Sequence, residues 1–273
     1  MNPEKAAILY ENPVASRIRF LKIAPANSRV MRIFNEPETS FAVSDTIPLD
    51  ELFSAECGES LKDECYVLFI PKNSGALPEH DEALRAWIGN GTSLVDLGDK
   101  NGRIRWKKSC LIVESSEEWM QTMLPVLTEF VFYETALRNL EQTTALDLIT
   151  VKQDIHLTHG VTGKDLKKQP HVNERTVHAT RLRMERLALE QKFYAPSSSL
   201  SRGLPSRLIE QAGIEERLEL LEDQLEILED IYELANDRLG EFSYFFKEAW
   251  LEIGIGFLLI AEVVIMLFEL QKL

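Results

Sequence analysis

The one run with metal-site spacing is His156-Leu-Thr-His159, with Asp154 just ahead of it and His171 and His178 behind. On a helix, side chains three residues apart share a face, so two imidazoles placed this way can converge on one ion. No third ligand stands at a familiar spacing, and Gly160 closes the pattern. Surface histidines are therefore the expectation; a membrane-tethered, metal-dependent enzyme using His156 and His159 is the rival. The segment Gly160-Val-Thr-Gly163-Lys164-Asp165 has the outline of a phosphate loop. Its first glycine is too close, however, and Asp165 stands where a Ser or Thr would hold magnesium, so it reads as a polar turn. Ser197-Ser-Ser199 has no strand-to-helix turn around it that would expose a nucleophile, and reads as a linker. With no catalytic residue, cofactor loop or metal set in view, the expectation is a non-enzyme without cofactor.

A different kind of chemistry is offered by Glu262. It lies in a run, residues 250–268, about long enough to cross a hydrocarbon core at a rise of ~1.5 Å per residue. A mid-helix charge costs on the order of 2.5–3.5 kcal/mol for insertion, while the Ile, Leu, Val and Phe residues of residues 253–268 return roughly 3–6 kcal/mol. Insertion wins narrowly, and protonation or a partner for Glu262 widens the margin. Glu252 and Glu262 are the expected intramembrane contacts, Trp250 the interface residue, and Lys272 a residue able to snorkel on the far side. An ion or proton conductor built around Glu262 is a further alternative, as is a helix that buries its apolar face in a soluble assembly.

The element that must hold this segment is a long helix before it. Ile214, Leu218, Leu221, Leu225, Leu228, Tyr232, Ala235, Leu239, Phe242 and Phe246 step by fours and threes, a heptad seam. Leu218, Leu221, Leu225 and Leu228 are its expected centre, forming a stalk in an oligomer. Leu220, Ile227, Ile231 and Leu234 widen the stripe, which favours packing on two sides. Acidic residues dominate this helix, whereas the one before it, residues 174–193, carries Arg175, Arg181, Arg183, Arg186 and Lys192. Opposite charge and a loop over residues 194–205 predict an antiparallel hairpin of the two. Upstream again, Ser115 and Glu118 form a predicted capping box for a helix that Pro125 should kink.

Residues 1–114 read as a small mixed α/β domain. Strand-like runs occur at 17–23, 30–34, 66–70, 94–97 and 103–113, with a turn signal at 98–102 and a helix at 81–88 that stops at Gly89-Asn90-Gly91. The predicted architecture is α+β: this domain, a helical region over residues 115–248, and a transmembrane anchor over residues 249–271. A net charge of −14 repels nucleic acid and anionic lipid over most of the surface, so nucleic acid is not an expected partner. Lys164, Lys167 and Lys168 form a local basic stretch with the Arg-rich helix. The cysteines Cys57, Cys65 and Cys110 have no paired spacing and suit thiols in a reducing compartment. The first ten residues have neither a signal-peptide pattern nor a transit-peptide pattern, so the body is expected to stay cytosolic.

Leu251-Glu252, the apolar run and Ala261-Glu262-Val263 resemble the terminal motif of the "required for meiotic nuclear division" family. The long helix over residues 216–239 is similar to the family's helix before its anchor. Phe130-Val-Phe-Tyr-Glu134 and residues 66–71 resemble its first helix and central strand more faintly. The resemblance covers roughly the last sixty residues and implies an α/β domain, a helical region and one C-terminal transmembrane helix. Mitochondrial members of that family form large homo-oligomers at the inner membrane and support organellar translation, and no enzymatic activity is established for it. Ile253 in place of the motif's Trp, and Gly254 and Gly256 in place of bulky residues, point to a divergent bacterial member. The expectation is a non-enzymatic, membrane-anchored, oligomeric scaffold in a bacterial inner membrane, its partners being the bilayer and further copies of itself.

Overall fold

Strands buried on both faces need apolar residues at consecutive positions, and two segments of the chain have them. The structure, a computed structural model, describes residues 13–23, 30–34, 39–54, 64–72, 81–89, 95–98, 100–194 and 203–270. Its seven strands are β1 (Val14–Leu21), β2 (Val30–Phe34), β3 (Ser40–Ile47), β4 (Glu64–Pro71), β5 (Val95–Gly98), β6 (Gly102–Lys107) and β7 (Cys110–Ser115). They form one sheet in the order β2-β3-β1-β4-β7-β6-β5. The doubly buried runs, Cys65–Phe69 of β4 and Cys110–Val113 of β7, lie side by side at its centre and form the only parallel pair among the described residues, whose other pairings are antiparallel.

Helices α1 (Leu49–Ser54) and α2 (Asp81–Ile88) supply Leu52, Leu84, Trp87 and Ile88 to a core with Tyr66, Leu68, Cys110 and Ile112 of the sheet. Helix α3 (Glu117–Asp154) supplies aromatic rings to other sheet residues. Phe132 stacks on Phe34 at 4.0 Å between centroids, and Phe130 meets Trp106 edge-on at 5.3 Å. Burying such rings dominates core energetics and leaves α3 little freedom to slide.

Several expectations need correction. The run over residues 103–113 is two strands, because Lys108 adopts φ 53 and turns the chain. Gly102 sits so close to β7 that an added Cβ would lie 2.6 Å from the Glu114 carbonyl oxygen, which fixes glycine there. The helix cap is Ser116 rather than Ser115: the Trp119 amide donates to Ser116 Oγ at 3.4 Å, and Ser115 belongs to β7. Helix α3 contains Pro125 and continues past it, so the residue does not end the helix. Helix α4 (Gln169–Tyr194) begins five residues earlier than predicted, and an additional helix α5 (Gly203–Gln211) occupies the end of the predicted loop. Ser197–Ser199, Asp99, Asn90 and Gly91, Cys57, the N-terminal ten residues and Lys272 lie outside the described residues. Cys110 is disulfide-bonded, against the expectation of a thiol, while Cys65 is free and buried.

The chain divides into two compact units, residues 1–142 with 184–221, and residues 143–183 with 222–273. In the first, Arg217 of helix α6 (Ile214–Leu270) reaches two carboxylates of α3, Glu134 at 3.0 Å and Glu141 at 2.8 Å. In the second, α4 runs antiparallel to α3, with Arg175 and His178 on Asp147 at 2.9 Å each and His171 on Asp154 at 3.4 Å. It also runs antiparallel to α6, with Thr180 on Glu229 and Arg183 on both Glu222 and Glu229. The Arg-rich and Glu-rich helices thus do pair, and burial of their apolar faces supplies the energy that exposed ion pairs lack.

Candidate functional site

Helix α6 is continuous for 57 residues, about 86 Å at ~1.5 Å per residue. Its seam residues Ile214, Leu218, Leu221, Leu225, Leu228, Tyr232, Ala235 and Leu239 are at most 2% exposed. Leu218, Leu221, Leu225 and Leu228 are therefore covered by the chain's own helices and are not an open seam for a second copy. Phe242 is half-buried and Phe246 is exposed, so the self-contained seam ends at Leu239. Leu220, Ile227 and Leu234, spaced by sevens on another face, remain exposed.

Past the seam the helix stands bare. Tyr244, Phe245, Phe246 and Trp250 project from it, exposed, followed by Leu251, Ile253, Ile255, Phe257, Leu258, Leu259 and Ile260, also exposed. Among the described residues this is the one helix long and apolar enough to cross a membrane, and its most apolar eighteen-residue stretch is not buried at all. Tyr244 and Trp250, aromatic side chains with a polar handle, stand exposed at the start of this apolar stretch.

Helix geometry separates the two acids. Glu262 is twelve residues past Trp250, about 18 Å along the axis, a distance equal to roughly half of a ~30 Å hydrocarbon core. Glu252 is two residues past Trp250, at the start of the apolar stretch, and its bearing differs from that of Glu262 by about 80°. Glu262 is thus the acid at the middle of the apolar stretch, and both side chains are exposed on the isolated chain.

His156 and His159, the ligands of the rival metal reading, belong to no ligand group of three among the described residues. Ile155–Thr158 is a short 3₁₀ turn, His156 Nδ1 lies 2.9 Å from the Gln153 carbonyl, and its Nε2 lies 3.1 Å from Lys168 Nζ. His159 follows this turn and is exposed. Among the described residues no group of three or more His, Cys, Asp or Glu side chains is arranged to hold a metal. The phosphate-loop lookalike is a turn closed by Asp165, whose carboxylate accepts from the Thr162 hydroxyl at 2.6 Å and amide at 3.0 Å. Those bonds hold its pKa below the ordinary carboxylate value.

Two buried groups escaped the sequence reading. Cys65 is fully buried, and desolvation, helped by the charge of Glu134, pushes its thiol up to about 12. The Tyr232 hydroxyl is buried without a hydrogen-bond partner; burial first, then the charge of Asp154, raises its pKa. A small apolar cleft lined by Val126, Phe130, Tyr133, Phe193, Pro205 and Ile209 encloses about 20 Å³, room for a water but not for a substrate. The chain matches no protein-family model and no curated protein.

Proposed function

We propose that the protein is a single-pass membrane protein and a non-enzymatic scaffold that self-associates through its membrane helix. The observation that carries this reading is the exposed apolar end of α6 with Glu262 near its middle. An intramembrane acid favours a protein neighbour over lipid, and the chain's own helices stop short of it. Burial of Leu218, Leu221, Leu225 and Leu228 within the chain supports self-association through the membrane segment and not through the expected stalk. The resemblance to the "required for meiotic nuclear division" family belongs to this proposal, as does placement in a bacterial inner membrane.

Size measurement of the full chain in mild detergent tests it. A discrete oligomer that shifts toward monomer in Glu262→Leu supports the reading; a wild-type monomer at working concentration refutes it. The lack of a signal-peptide pattern in the first ten residues favours a cytosolic body. The Cys110 disulfide favours the opposite face, where oxidising conditions preserve such bonds. Protease protection in sealed vesicles separates the two orientations.

A further inference from the structure

Helix directions fix where the connection between α3 and α4 must lie. Antiparallel pairing of α4 with both neighbours leaves α3 and α6 parallel in the second unit. Thr180 is level with Glu229, and nine residues back along α4, His171 meets Asp154 at the end of α3. On equal rise per residue, that end is level with about residue 238 of α6. The connection, residues 155–168, therefore lies beyond that level, on the side toward which α6 continues as the apolar segment. Trp250 is only about 18 Å further along the axis.

This connection is one of the basic stretches of an acidic protein. Lys152, Lys164 and Lys167 are exposed and, among the described residues, make no ion pair. Lys168 is held by Asp165 at 3.6 Å, and Asp154 is taken up by His171. Both acids of the lobe are thus engaged while three of its lysines are free. Ile155, at its start, is 46% exposed, an apolar group beside the lysines. The reach of a lysine side chain and a Debye length of about 8 Å together bring these charges within the field of a headgroup layer.

Building on the membrane-span reading, we infer that residues 152–168 form a lysine lobe that docks on anionic lipid headgroups beside the emerging helix. The exposed acids Glu233 and Asp237 of α6 lie near the same level. Attraction is therefore local to the lobe, and the rest of the body is held off the surface by its own negative charge. Docking of this kind sets the lean of the body against the bilayer and selects the leaflet richer in anionic lipid.

The full-length protein is reconstituted in discs of phosphatidylcholine, alone or mixed with phosphatidylglycerol, and amide exchange over residues 155–168 is followed. Carbonate washing of matched vesicles reads the span separately. The expected result is carbonate-resistant protein in both lipids, with exchange in the lobe slowed at least about fivefold by phosphatidylglycerol, one lysine's worth of attraction. The triple variant Lys152→Gln, Lys164→Gln, Lys167→Gln, all at exposed positions, should lose that slowing and remain carbonate-resistant. Equal exchange in the two lipids with the span intact overturns the lobe alone. Release by carbonate from both lipids overturns the span and the lobe with it. Slowing by added single-stranded RNA, without a lipid effect, overturns the headgroup assignment.

Discussion

Leu225 and Ile227 stand two residues apart on α6, one 0% exposed and the other 53% exposed. Their truncation separates a seam filled within one chain from a seam filled by a second copy. Leu225→Ala removes buried methyl groups where neighbouring helices close over them, a change that costs about 3 kcal/mol, within the usual span of ~2–5 kcal/mol. At roughly 2–4 °C per kcal/mol for a domain of this size, the unfolding midpoint should fall by about 6–12 °C. Ile227→Ala should stay within about 0.5 kcal/mol. The assay is thermal unfolding of the full chain in mild detergent, followed by circular dichroism at two widely separated protein concentrations. Packing within a chain makes the Leu225→Ala loss independent of concentration, whereas a seam between copies ties it to mass action. A concentration-dependent loss, or an equal loss from Ile227→Ala, would refute the assignment.

Arg217→Met leaves the Glu134 carboxylate, 2% exposed, with Arg138 as its remaining guanidinium partner, and should cost about 3 kcal/mol in chemical denaturation. Adding Glu134→Gln should recover a large part of that loss; no recovery in the double-mutant cycle counts against a coupled pair. Cys65 should resist maleimide at pH 8 in the folded protein and react on unfolding, because burial keeps its thiol protonated. Its folded pKa lies above the unfolded value of 9.0, so its linkage contribution is flat below that value and turns destabilising as pH rises through it. A thiol labelled rapidly in the native state would contradict this. Ser116→Ala should destabilise the start of α3 by about 1 kcal/mol while Ser115→Ala leaves amide exchange in the first turn unchanged; the reverse ranking would restore Ser115 as the cap.

Legibility followed how local each signal was. The helix at Asp81–Ile88 matched its predicted bounds, since its apolar spacing and its stop at Gly89, at φ +67, are both read within a few residues. Strand β2 was equally plain. Strand β3 passed unread because Ser40, Ser44, Asp45 and Thr46 dilute its apolar content, and its pairing with β1 and β2 is what holds it. The turn at Lys108 was hidden because a lysine at positive φ carries no turn signature. Ser115 and Ser116 are both suitable caps by type; the β7 ladder claims the first and leaves the second to α3.

Sequence alone determined that a long amphipathic helix ends in an apolar run with an acid at its middle, because hydrophobic period and run length are properties of the chain itself. It also determined that the Arg-rich and Glu-rich segments carry complementary charge. Only the tertiary structure decided which face of the heptad helix is already occupied, since a seam reads the same whether the covering helix belongs to its own chain or to another. It alone decided that the lysines between α3 and α4 come to lie on the side toward which α6 continues as its apolar segment. Thr180 and Glu229, 49 positions apart, become neighbours through helix direction, and direction is fixed by packing, not by composition.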